Sequence, residues 1–501
     1  MKKLLLTLLL GVITASSLQA QFLRYRDEVF QNVTKHVGNP QVGTARNKGI
    51  AYGFPPRKFG GTSGPSDSIR CHIYEPTGDT VSRRPVILLA GNTAGLGAPF
   101  ADASFPVPSG TVDDLWLVDA ATSFAKRGYV VVAFTYRLGW NPLDANPTKS
   151  IIEAVFRGVQ DLKALVRYMK YTAKSLGNPY RIDTTKIAAG GSVFAGYLAV
   201  NATFVDDPNE LIFPTLIDPS TNTSYLDADV LTLTGTGTID TLVGLEGFSA
   251  LPAVVAAGTS SDFDVVLNFG GAVPDTTFFN RGKRRPILAA HSVNDGNTPY
   301  TFGTVFANTG GATPAAIIDV HGSYNMLEHA DRLGMNDGLK PDFAGGTATE
   351  PFPGLRPFFF PRNRAYEPWA ARPVGTSGWT QARADSNALN LDTLKKFLAP
   401  RLKKLFNLPD VNFVTSVDPR ANISNLVTVY PNPASDRVQL TMTEGTIHDA
   451  LLLDVQGRMV RRYDALQGRS HELDIFTVSP GTYVLQVNTS RGPVVKTIVK
   501  Q

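Results

Sequence analysis

The chain has 501 residues, of which 43% are hydrophobic and 18% charged, and its net charge at neutral pH is +5. This is the make-up of a globular protein long enough for two or three domains and a large buried core. Without Lys2 and Lys3 of the leader the charge falls to +3, too small a surplus over this length to argue for a nucleic-acid partner.

The opening MKKLLLTLLLGVITASSLQA has two lysines, then an apolar run, then small polar residues. That is the pattern of a secretory signal peptide over residues 1–20, cut after Ala20. The apolar run is short for a bilayer span, and no later segment is long and apolar enough to be one. Cys71 is the only cysteine, so no intramolecular disulfide forms, and it reads as a small strand residue rather than a reactive thiol.

From Pro85 onward the pattern alternates between strand and helix. PVILLA and GYVVVAFTYRLGW are apolar runs expected of strands buried on both faces, with a helix over Asp119 to Arg127 between them. In IIEAVFRGVQDLKALVRYMKYTAKSLG, residues Val155, Val159, Leu162, Val166 and Met169 form one apolar helical face. KIAAGG is the next strand and SVFAGYLAVNATFV begins a helix. FDVVLNFGG and RPILAAHS are two more strands, followed by helices over Tyr324 to Leu333 and Asn387 to Phe406. This alternation predicts an α/β domain over residues 21–409 with a doubly wound, mostly parallel sheet. Residues 206–261 read as an insertion, and 342–378 as a long loop rich in Pro, Gly, Phe and Arg.

After Asp410 the character changes. Residues 410–425 read as a linker, and 426–501 as short alternating strands separated by turns, hence an all-β sandwich.

The C-terminal segment resembles the sorting domain of proteins exported by the type IX secretion system of Bacteroidetes. The matching residues are Pro431-Asn432-Pro433 after an apolar strand, Asp454 with Gly457-Arg458, Pro480-Gly481 before Tyr483, and the terminal VVKTIVKQ. The resemblance implies passage through the periplasm, contact of residues 426–501 with the secretion machinery, and a final place at the cell surface or outside the cell. Residues from about Arg84 to Phe406 resemble the α/β-hydrolase fold, in particular bacterial carboxylesterases and lipases. GYVVVAFTYRLGW, RGVQDLKALVRYMK, RIDTTKIAAGG and HSVNDGNTPY carry that resemblance, and the last places the triad acid at Asp295.

A serine hydrolase presents its nucleophile in G-x-S-x-G, on a tight strand-to-helix turn whose glycines let strand and helix approach. Laid without gaps on IAAGGSVFAGYLA, the family pattern puts the nucleophile position on Val193, which has no attacking atom. The rival register uses Ser192 as nucleophile but sets Phe194 where the motif wants glycine; Ser192 otherwise suits a helix cap. In the oxyanion region Ala90-Gly91-Asn92-Thr93 replaces the family's HGGG, leaving Gly91 and the Asn92 side chain as donors. His291 resembles a structural strand-end histidine of the family, and His329, on a helix, is the alternative base. The family's triad histidine loop is matched by Arg364 to Trp369, with Tyr366 in the histidine's place. Tyrosine cannot shuttle protons near neutral pH as imidazole does.

The Asp113-Asp114 and Asp206-Asp207 pairs read as turns or caps, and the run Arg281 to Arg285 as a solvated loop, so neither a metal nor a cofactor is expected. The leading expectation is an exported hydrolase-fold protein that has lost its triad and binds a small ester-like or apolar ligand. Two alternatives stay open. One is an active carboxylic ester hydrolase using Ser192 as nucleophile, Asp295 as acid and His329 or another histidine as base; the other is a structural surface component.

Overall fold

The computed structural model describes residues 22–38, 50–53, 69–91, 112–136, 146–205, 214–226, 253–254, 257–280, 283–307, 314–343, 358–360, 366–371, 374–375, 379–413, 426–454 and 459–501. The expected signal peptide, Asn92, Arg281, and most of 206–261 and 342–378 lie outside the described residues. The described chain divides into two compact units, Phe22–Val411 and Asn412–Gln501.

The first unit is built on a nine-stranded sheet. In chain order its strands are β1 (Val33–His36), β2 (Ile50–Gly53), β3 (Ile69–Pro76), β4 (Arg84–Ala90), β5 (Val130–Phe134), β6 (Ile182–Ser192), β7 (Val265–Phe269) and β8 (Ile287–Ser292). A two-stranded ribbon, β9 (Phe302–Ala307) and β10 (Ala315–His321), precedes the last sheet strand, β11 (Phe358–Phe360). Across the sheet the order is β11-β8-β7-β6-β4-β5-β3-β1, with β2 also on β3. The pairings from β11 to β5 are parallel, while β3 runs antiparallel to β5, β1 and β2. This is the mostly parallel, doubly wound α/β sheet that the hydrolase resemblance implies.

Among the described residues the longer helices are α1 (Leu115–Lys126), α2 (Pro147–Ser175), α3 (Phe194–Phe204), α4 (Ser323–Arg332) and α5 (Gln381–Leu405). One core lies between the sheet and α1 with α5, the other between the sheet and α2, α3 and α4. Strands β4, β5 and β7 are buried along their whole length, which is why they read as unbroken apolar runs. The chain leaves β4 for β5 on one side, then crosses through α2 to β6 on the other side of β4. In open α/β sheets ligands bind at the carboxyl ends of the strands flanking such a reversal, here β4 and β6.

Helix α1 begins at Leu115 rather than Asp119, because Trp116, Leu117, Ala120, Ala121 and Phe124 already form its buried face. Helix α2 begins at Pro147, where Asn146 accepts the Lys149 N–H at 2.9 Å and proline takes the first helical position. At the far end of the sheet Arg84 is fully buried. Its guanidinium donates to Asp79 at 2.8 Å and to Glu75, and Arg24 holds Asp79 from the other side at 2.9 Å, fastening the first described segment to β4.

The second unit is all-β. Strands β12 (Val427–Tyr430), β13 (Arg437–Met442) and β16 (Ser470–Asp474) form one sheet. The other has the order β15 (Met459–Tyr463), β14 (Ile447–Leu453), β17 (Gly481–Thr489), β18 (Gly492–Lys500). Alternate residues of both, among them Val438, Leu440, Leu452 and Leu485, are buried between them.

Candidate functional site

The chain turns from β6 into α3 through the single residue Val193, at φ 50° and ψ −107°. A β-branched residue with positive φ is a backbone outlier, costing on the order of 1–3 kcal/mol. The neighbours explain why the turn is so tight. A Cβ on Gly191 (φ 149°) would stand 2.0 Å from the Ala90 carbonyl oxygen and 2.9 Å from Ala195 Cβ. One on Gly196 would stand 2.5 Å from Asn268 Oδ1, so α3 starts in near-contact with the end of β7. The Val193 N–H donates to the Phe269 carbonyl at 2.7 Å. Ser192, one residue earlier, is fully buried, and its hydroxyl has no hydrogen-bond partner among the described residues.

Asp295 follows β8 on the neighbouring carboxyl end. Its Oδ1 accepts the N–H groups of Asn297 at 2.8 Å and Thr298 at 3.2 Å, and its Oδ2 lies 3.6 Å from His291 Nε2. His291 is fully buried, with Nδ1 2.9 Å from Ser323 Oγ and Nε2 3.2 Å from the Thr298 carbonyl. Ser323 Oγ also accepts from Asn268 Nδ2 at 3.1 Å, and because the Thr298 carbonyl can only accept, a neutral His291 ring donates from Nε2 and takes the Ser323 hydroxyl proton at Nδ1. Both ring nitrogens of His291 are therefore engaged. Tyr197 of α3 joins the same network through Thr298 Oγ1 at 3.1 Å, and burial raises its phenol well above the ordinary value.

Tyr366 lies after β11, on a short turn held by α5. Asn390 donates to its carbonyl at 2.6 Å, and Asn387 donates to the carbonyl of Glu367. The buried Glu367 accepts the Trp369 indole N–H at 2.6 Å. Trp369 stacks on Phe269 with ring centroids 5.9 Å apart and meets Trp116 edge-on at 6.4 Å. A Cβ on Gly270 would lie 3.9 Å from Trp369 and 4.0 Å from Asp295 Oδ2. The segment bearing Tyr366 thus folds back over the ends of β7 and β8.

Gly91 follows β4, where Ala90 pairs with Gly191. Its carbonyl accepts from the Tyr136 hydroxyl at 3.3 Å, and a Cβ there would stand 2.7 Å from Asp114 Oδ2. Gly91, Val193, Asp295 and the Tyr366 turn therefore share the carboxyl end of the sheet. His329 does not join them. It lies six residues beyond Ser323, about 9 Å along α4. It contacts Asn280 at 3.0 Å, Arg332 at 3.2 Å and the ring of Phe279. Burial and the Arg332 charge lower its pKa.

Sequence reasoning missed three parts of this site: the Asn268–Ser323–His291 network, the Glu367–Trp369 pair and the ribbon beside the Asp295 turn. The network joins segments far apart in the chain, whereas the Glu367–Trp369 pair spans two residues and the ribbon is a local hairpin, neither of them marked by an apolar pattern. Among the described residues no group of three His, Cys, Asp or Glu is placed to hold a metal ion.

No curated protein sequence matches the chain. Solved structures similar to it include Thermogutta terrifontis esterase 2 phosphoramylated by tabun. It is 15% identical, with 66% of this chain and 89% of that one covered, at a TM-score of 0.31. The propionate-bound esterase from the same organism is 14% identical, with 70% and 94% covered, at a TM-score of 0.30. The α/β fold is defined by the strand order and direction of the sheet. Residues 428–501 match the family described as the secretion system C-terminal sorting domain. Among the described residues no helix is long and apolar enough to cross a membrane. The C-terminal unit is thus a type IX sorting domain, and the chain that carries it is exported to the cell surface or the extracellular space.

Proposed function

We propose that the first unit is a hydrolase-fold protein without serine-esterase chemistry, which acts outside the cell by binding a small ester-like or apolar molecule. One observation carries this reading: the residue on the strained strand-to-helix turn is Val193. That turn is where such a fold presents its nucleophile, and valine has no atom able to attack a carbonyl carbon. Two features support it. In the sequence Tyr366 stands where the family's loop carries its histidine, and His291, 3.6 Å from Asp295, has both ring nitrogens engaged. A buried Ser192 hydroxyl is poorly placed to reach a substrate. Residues 428–501 supply the route out of the cell.

The test uses the full chain with 4-nitrophenyl butyrate and a fluorophosphonate probe. The ester is expected to bind in equilibrium dialysis and be recovered intact, and the probe to leave the protein unlabelled. Labelling and turnover that vanish in Ser192→Ala would establish the active hydrolase instead. An absence of binding would remove the binding role.

A further inference from the structure

The last strand of the sorting domain, β18, lies at the edge of its sheet, with β17 on one side only. An open strand edge presents unpaired N–H and C=O groups that invite another strand. Here the outward groups near the C-terminus are already engaged. Asn432, in the turn after β12, donates through Nδ2 to the Thr497 carbonyl at 2.7 Å and accepts the Val499 N–H through Oδ1 at 2.8 Å. Its side-chain amide thereby offers the edge one donor and one acceptor, as a peptide group of a neighbouring strand would. Two residues on, the Ala434 N–H donates to the Val499 carbonyl at 2.8 Å and the Gln501 N–H to the Ala434 carbonyl at 2.9 Å. At the other end of β18, Pro493 has no N–H to offer on the edge. Along this edge the exposed Val495 and Val499 would otherwise favour pairing.

We infer that Asn432 is an edge cap: its amide stands in for a neighbouring strand, holds the C-terminal residues in register and excludes strand addition by a second copy of the chain. Nothing in this depends on what the hydrolase unit binds. It assigns the central residue of Pro431-Asn432-Pro433 a physical task within the domain.

The full chain and its Asn432→Ala and Asn432→Asp variants are compared by backbone hydrogen exchange and sedimentation velocity. In Asn432→Ala, the Val499 amide is expected to exchange faster by roughly tenfold, the loss of about one hydrogen bond. Amides of β14 keep their protection, and the variant self-associates more than the parent chain. Asn432→Asp keeps the acceptor but not the donor, so Val499 stays protected. Parental exchange at Val499 in the alanine variant, or an unchanged mass distribution, would overturn the inference. If the alanine variant unfolds, the aspartate variant decides: a Val499 amide as exposed as in an uncapped edge would equally overturn it.

Discussion

The Val193 N–H meets the Phe269 carbonyl at 2.7 Å, so the strained turn is fastened to the neighbouring strand at its most constrained residue. The fold holds this conformation by close approach, and Gly191 is one of the tight points beside the turn. Gly191→Ala would force a Cβ to 2.0 Å from the Ala90 carbonyl oxygen, in a backbone pairing that cannot yield. We expect a loss of about 3–5 kcal/mol or failure to fold. Gly177→Ala is the control: φ is also positive, at 73°, but no atom lies within 4 Å of the added carbon. Its cost should be only the left-handed penalty, about 1–2 kcal/mol. Urea unfolding followed by tryptophan emission reads this unit alone, because Trp116, Trp140, Trp369 and Trp379 all precede residue 412. Equal losses in the two variants would show that crowding at Gly191 is relieved by movement.

If chemistry was lost at two positions, restoring one should not suffice. Val193→Ser places a hydroxyl on the turn but provides no free base, since His291 is tied to Ser323 and Thr298. Its ester turnover should stay at the level of the blank. Adding Tyr366→His supplies an imidazole on the turn that folds back toward Asp295, and turnover should rise by about 10²–10⁴ over the single variant, the usual worth of general-base help. Initial rates on 4-nitrophenyl butyrate decide the matter. Equal rates in the single and double variants would mean that residue 366 does not face the Val193 turn.

The sheet was largely legible because buried parallel strands such as β4 and β5 are written as continuous apolar runs. Helix ends were less so. The start of α5 at Gln381 depends on Thr380 accepting the Arg383 N–H at 3.4 Å, a weak cap within a polar stretch. The ribbon β9–β10 was hidden for another reason. Phe302 and Phe306 are exposed on one of its faces, so its apolar pattern does not announce a buried strand. At the site, the chain turns at Val193, shortly after the paired glycines Gly190 and Gly191. The partners of His291 could not be read, because Asn268, Thr298 and Ser323 come from three separate segments.

Those three segments make Ser323 a structural test of the His291 network. Ser323→Ala removes the proton directed at His291 Nδ1 and one acceptor for Asn268 Nδ2, both fully buried. Leaving such groups unsatisfied should cost about 1–3 kcal/mol in urea unfolding. His329→Ala, by contrast, loses contacts with Asn280 and Arg332 near the surface and should cost less than about 1 kcal/mol. It should also leave ester binding unchanged. A larger loss in His329→Ala than in Ser323→Ala would reverse this assignment of roles.

The buried charges at the opposite end of the sheet predict an acid limb in the stability profile. Burial pushes the Asp79 carboxyl up, but the Arg24 guanidinium, the Val81 N–H and Arg84 together hold it below its ordinary value. The folded pKa is therefore depressed, and the unfolded one is about 3.9. The stabilisation is fully present above that unfolded value and is lost as pH falls through the lower folded value. Asp79→Asn keeps the shape but leaves Arg24 and Arg84 facing a neutral amide, which should cost about 3–5 kcal/mol at neutral pH. The variant's unfolding free energy should also fall less steeply below about pH 4 than the parent's, because the group that takes up the proton is gone. Stability curves between pH 2 and pH 7, read from tryptophan emission, compare the two directly. Parallel acid limbs would place the proton uptake elsewhere, with Glu75, which also receives Arg84, the next carboxylate to replace.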